Sequence, residues 1–289
     1  MRKTIWSLAG VLALSFGATN AQAQDDDTIQ IGWTAWSDAE FITKLTARVL
    51  EERMDQDVEL IQTDIAPQYQ GVANGDIDMM LMSWLPGTHA DYWEDFAAEV
   101  TNLGILYDHA KLGWVVPDYI PEDELSSIAD LDNDEIRERL DGTITGIDPG
   151  AGLTRLSEQA LEDYGLDGYE LQVSSGAGMT AALDRAVNNE EWIVVTGWSP
   201  HWKFGAYDLR YIEDPEGTLG SFERIHALAR EGFAGENHDA ASMVGRIWMP
   251  LDELQAAMFE ARETSYEEAV DAYIEENEAR INYWVTGEI

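Results

Sequence analysis

The sequence predicts an α/β chain folded as a two-lobe clamp, each lobe a doubly wound sheet, the two joined by two crossover hinge segments. Three observations predict it. Apolar strand-like runs alternate with helical spacing over residues 28–100 and again over 143–198. Such alternation builds parallel strands with helices on both faces. Two further apolar runs, one before the second unit and one after it, read as crossings between the units.

Each element follows from its residues. "TIQIGW" (28–33) reads as a strand, and Ser37-Asp38-Ala39-Glu40 as a capping box. Helical spacing follows at Phe41, Leu45, Val49, Leu50 and Met54. "DVELIQTD" (57–64) is a strand, 66–76 a helix ending at Gly75, "IDMMLMSW" (77–84) a strand and 89–100 a helix. "KLGWVVPDYI" (111–120) is a strand broken by Pro117, the first crossing, and 121–131 is a polar helical lead into the second unit. That unit reads strand 143–148, helix 154–165, strand 169–175, helix 179–190 and strands 191–198 and 207–214. "RIHALAREGF" (224–233) is the return crossing, and amphipathic helices from Asp239 onward cover the first lobe. The lobes are thus expected at 28–113 with 226–289, and at 114–225.

Composition bounds the function. Residues 1–23 have a basic start (Arg2, Lys3), an apolar middle and a small-x-small site at Ala21-Gln22-Ala23, the pattern of a secretory signal peptide cleaved after Ala23. No cysteine follows it for lipid attachment, and no later stretch is long and apolar enough to span a bilayer. The expected product is exported, periplasmic and monomeric. The absence of cysteine excludes disulfides, thiolate nucleophiles and thiolate metal sites. The formal charge of −39 becomes −41 when Arg2 and Lys3 leave with the leader. Such a surface repels nucleic acid and anionic membranes, and suits a high-salt medium that screens self-repulsion. The melting temperature should therefore rise with salt until screening saturates. A value that stays flat from dilute buffer to molar salt would count against that reading.

Trp36, Trp84 and Trp198 each follow a strand and precede a helical segment. Ligands of open α/β sheets bind at carboxyl ends of strands, so the three are aimed at one cleft. Indole faces carry negative potential, which suits a quaternary ammonium; each cation–π contact in a dry site contributes ~2 kcal/mol. Sugars also stack on indole, so a carbohydrate ligand stays open. "GIDPGAGLTRL" (146–156) runs a strand through a Gly-rich turn into a helix. The amides of Gly152 and Leu153 would face an anion there, or close an ordinary tight turn. "SSGAGM" (174–179) is a similar turn. His89 would donate to a carboxylate in the cleft or sit in a solvent-facing first helical turn. Asp38 would serve the helix dipole or act as a counter-charge for a cation. The other histidines show no metal spacing, and neither metal nor cofactor is expected.

"SWLPGTHADYW", "GIDPGAGL", "SSGAGMTAAL" and "VVTGWSPHWKF" resemble the OpuAC/ProX type of substrate-binding protein of ABC importers for glycine betaine. The resemblance runs over roughly residues 28 to 286. It implies the type II periplasmic binding protein fold, no catalysis, and an ABC permease as partner. By match of motif it implies an onium cage of Trp36 in "TAWSDAE", Trp84 in "SWLPGTH" and Trp198 in "TGWSPHW". It places the ligand carboxylate against His89 and the Gly152 and Leu153 amides. The related choline-binding proteins have an aspartate two residues after the first cage tryptophan, as Asp38 is here, and lack the histidine.

The expected function is capture of glycine betaine for uptake in osmoprotection, with choline, proline betaine or a dimethylsulfonio solute as alternatives. An exported carbohydrate-active enzyme is the runner-up, against which no acid pair stands out at strand ends except Asp38 and Asp148. No G-x-S-x-G, H-E-x-x-H or Walker-type loop occurs. A sensory module presenting ligand to a receptor would share the binding chemistry.

Overall fold

The computed structural model describes residues 28–289, so the leader read at 1–23 lies outside the described residues. Strands and helices alternate at first: β1 (Ile29–Trp33), α1 (Ser37–Met54), β2 (Val58–Gln62), α2 (Ile65–Asn74), β3 (Met79–Leu85) and α3 (Ala90–Phe96). The long β4 (Val100–Pro117) leads to a 3-10 turn at Ile128–Asp132, then α4 (Asp134–Arg139), β5 (Thr143–Thr145), α5 (Gly152–Asp163) and β6 (Glu170–Gln172). Next come α6 (Gly176–Asn189), β7 (Val195–Ser199), α7 (Lys203–Ala206) and β8 (Leu209–Tyr211). β9 (Glu223–Arg230) returns to the first lobe, followed by α8 (Phe233–Glu236), α9 (His238–Val244), α10 (Leu251–Glu263), α11 (Tyr266–Glu276) and α12 (Glu278–Thr286).

The strands lie in the order β2-β1-β3-β9-β4-β7-β5-β6, with β8 also on β4. β1 is parallel to β2 and β3, as β5 is to β6 and β7. All seven residues of β3 are buried, which explains why Ser83 alone interrupts its apolar run: a strand covered on both faces has no solvent side. The sheets are not wholly parallel, however. β9 runs antiparallel to β3 and β4, and β4 antiparallel to β7 and β8. Strands that carry the chain between lobes enter each sheet from its far side and so oppose its parallel members.

Four local readings change. The strand expected at 111–120 begins at Val100; its first half pairs with β9, and it passes to β7 between Ala110 and Lys111. The segment 224–233 is a paired strand, not a bare connection, over most of its length. The polar lead at 121–131 forms turns and one 3-10 turn, and α4 follows it. The capping box at Ser37 is absent. Trp36 itself takes the cap position with extended backbone, Ser37 Oγ is buried without a partner, and Glu40 pairs with Lys44 at 2.8 Å. Gly75 does end α2, in the left-handed region at φ 81°, where a side chain would be strained.

The helices α10, α11 and α12 pack on α1 and bury Leu254, Met258, Val270, Ile274, Ile281 and Trp284. The core of the first lobe continues across the cleft to Ile147, Leu153, Val195 and Trp198. The second lobe keeps a separate core around Trp114, Ile128, Leu131, Ile144 and Val194. At about 1.5–3 kcal/mol for each large apolar side chain buried, the cleft-spanning part of the core favours contact between the lobes.

Candidate ligand site between the lobes

Trp36, Asp38, Trp84, His89, Gly152, Leu153 and Trp198 line one pocket between the lobes. It encloses about 300 Å³ of non-atom space, counting that at its open mouth. Trp36 comes from the cap of α1, Trp84 from the end of β3 and Trp198 from β7, so three strand ends aim three indoles at one volume. Each is almost fully buried, at 7%, 3% and 4% exposure.

Two of the indole edges are already used. Trp36 Nε1 donates to Asp148 Oδ2 at 2.9 Å, across the cleft. Trp198 Nε1 donates to Asp38 Oδ1 at 2.8 Å, also across the cleft. Those rings therefore have only their faces left to offer a ligand. A carboxylate on each N–H makes the ring more electron-rich, which strengthens its hold on a cation.

Asp38 is wholly buried, and Tyr107 donates to its Oδ2 at 2.6 Å. Burial raises its pKa, opposed by the hydrogen bonds from Tyr107 and Trp198. Both carboxylate oxygens thus hold protein donors, and its clearest service is to fix Trp198. The sequence offers it as dipole partner or counter-charge; the structure adds the orienting of an indole. Lys203 is buried as well, its Nζ 4.4 Å from the centroid of Trp198 with no hydrogen-bond partner. Burial pushes its pKa well below the ordinary lysine value, with Asp38 opposing.

The same pocket also holds donors. The Trp84 amide donates to His89 Nδ1 at 3.1 Å, so the ring proton sits on Nε2. Nε2 is buried and has no partner. Burial lowers the His89 pKa to about 3, and the Arg155 charge adds to that. The imidazole is therefore a neutral, single-direction donor. The solvent-facing reading of His89 fails, because only 1% of it is exposed. Helix α5 begins at Gly152 behind Ala151, and no side chain caps its first amides. A Cβ on Gly152 would come within 2.2 Å of Thr88 O, so only glycine admits this approach of the two lobes. The other Gly-rich turn differs: Ser175 caps α6 by accepting from Gly178 N at 3.1 Å.

Thr88, Leu112, Ile147 and Ala151 complete the lining and were not singled out from sequence. Asp148, one of the two acids noted at strand ends, is the acceptor for Trp36. Further ties cross the cleft: Tyr92 OH donates to Gly150 O at 3.0 Å, and Arg155 pairs with Asp91 at 3.0 Å. Exposed pairs such as the last contribute at most about 1 kcal/mol. Among the described residues no group of three or more His, Asp or Glu side chains could hold a metal ion, and no helix is long and apolar enough to cross a membrane.

This geometry has parallels in known proteins. The profile of the family described as substrate binding domain of ABC-type glycine betaine transport system matches residues 27–276. The chain is 35% identical over 156 residues to the glycine betaine/carnitine transport binding protein GbuC of Listeria monocytogenes, a match over 53% of this chain and 52% of that protein. The aligned region thus spans about half the length of that curated relative. Lactococcal OpuAC, in its closed-liganded crystal structure complexed with glycine betaine, superposes with a TM-score of 0.84 at 34% identity. That match covers 90% of this chain and 100% of the other. The ProX glycine betaine, L-proline ABC transporter binding protein of Borrelia burgdorferi gives a TM-score of 0.83 at 31% identity, over 89% of this chain and 96% of that one. The architecture is that of type II periplasmic binding proteins, which outside the cytoplasm bind solutes for ABC importers and are in general not enzymes. With its profile matched over residues 27–276, the chain belongs to the family of substrate-binding domains of ABC-type glycine betaine transport systems.

Proposed function

We propose that this protein is exported, loses its leader after Ala23, captures glycine betaine in the periplasm and delivers it as a monomer to an ABC permease. It performs no chemistry on the ligand. Trp36, Trp84 and Trp198 hold the trimethylammonium group; His89 Nε2–H and the Gly152 and Leu153 amides hold the carboxylate. The observation that carries this reading is the make-up of a single pocket, lined both by three indoles and by an unpartnered neutral donor. Closure joins a first lobe at 28–113 with 226–289 to a second at 114–225. The exchange of β4 from β9 to β7 at Ala110 and Lys111 supports a crossing near the first of those boundaries. Calorimetric titration of the mature protein with glycine betaine, proline betaine, choline, a dimethylsulfonio solute and a disaccharide tests the assignment. Saturable binding of the betaine with none of the disaccharide is expected; the reverse overturns it in favour of the carbohydrate reading.

The depressed pKa of His89 gives a pH test. A donor already neutral does not titrate between about pH 6 and about pH 8, so betaine affinity should be flat across that range. An inflection near the ordinary histidine pKa of about 6.5 would mean that an exposed imidazole governs binding. Stability behaves differently. Because the folded pKa lies below the unfolded one, the unfolded chain takes up protons first as pH falls. The contribution of His89 is present above about pH 6.5 and is lost as pH drops toward its folded value of about 3.

A further inference from the structure

Glu223 opens β9 and is 2% exposed, yet it is a carboxylate. Its Oε1 accepts from Thr88 N at 2.9 Å and from Thr88 Oγ1 at 2.6 Å; its Oε2 also accepts from Thr88 N, at 3.2 Å. The fit is close, since a Cβ on Gly87 would stand 3.1 Å from Glu223 Oε1. A buried charge held by neutral donors from a single turn fixes that turn strongly, because freeing any donor would leave the charge undersatisfied.

The turn it fixes carries the donor end of the pocket. His89 is the next residue after Thr88, and its amide donates to Trp84 O at 3.0 Å. Thr88 itself lines the pocket, and its carbonyl meets Gly152, whose amide opens α5. Glu223 is paired with Ala110, the last residue of β4 on β9 before that strand joins β7. One side chain therefore stands where the chain crosses between lobes and grips the turn on which the donors depend.

We infer that Glu223 is a positioning residue for the anionic end of the ligand: its grip on the Gly87–Thr88 turn holds His89 Nε2–H in line with the α5 amides. It does not touch the ligand. This inference rests on the betaine reading, and binding of glycine betaine by the wild type tests that reading separately.

The test is Glu223→Gln, which keeps the size and replaces one acceptor oxygen with a donor facing the Thr88 donors. Glycine betaine should bind about tenfold more weakly, the cost of misplacing a hydrogen bond to a charged group. Choline, with the same head and no carboxylate, should change by less than about threefold. In a His89→Ala background the same substitution should cost betaine less than about threefold, since the donor it positions is already gone. Unchanged betaine affinity overturns the inference. So does equal weakening of both ligands, or a full tenfold cost without His89, because each means that Glu223 supports the fold or the cage and not the anionic end.

Discussion

Trp198→Ala should weaken glycine betaine binding by ~2 kcal/mol or more, about thirtyfold, and Trp84→Ala by a similar amount. Both rings are buried in the pocket wall, and a cation there has no water to replace the lost face. Trp198→Ala also removes the donor to Asp38 Oδ1. Trp198→Phe helps to separate the two effects: it keeps a smaller aromatic face and loses the N–H. Trp248 provides the control, since it is 50% exposed and lies outside the pocket. Trp248→Ala should leave affinity unchanged. Equal losses at all three positions, measured by calorimetry, would show general unfolding in place of cage loss.

His89→Ala should weaken glycine betaine by about 1.5–3 kcal/mol, the range for a hydrogen bond to a charged group, and leave choline little changed. The cage treats the two ligands alike, so discrimination falls to the donor end. Asp38→Asn should affect both ligands modestly and alike, because both carboxylate oxygens serve Trp198 and Tyr107. A wild type that prefers choline, with that preference abolished by Asp38→Asn and untouched by His89→Ala, would make this a choline receptor.

That Trp36, Trp84, Trp198, His89 and Gly152 would line one pocket was legible because they sit at or just past strand ends, where local sequence shows both the end of an apolar run and the residue that follows it. Trp84 closes the run from Met79, and Gly152 follows a Gly-rich turn. What could not be read were the partners. Asp148 is 112 residues from Trp36, and Glu223 is 135 from Thr88, and nothing local marks either pair. The N-terminal half of β4 was missed because Thr101 and Asn102 are exposed and Gly104 interrupts the pattern. The capping box failed for a physical reason: Ser37 fits the motif, but Trp36 turns aside to the cleft and takes the cap position itself.

β4 is one strand of eighteen residues, paired with β9 in one lobe and with β7 in the other. The lobes are therefore not two bodies on a loose tether. His109, at φ 58°, sits just before the transfer, so the strand already turns sharply there. Any opening of the cleft would have to deform this shared strand. If binding closes the cleft, part of the ligand's attraction goes into that deformation, so the stiffness of β4 enters the measured affinity.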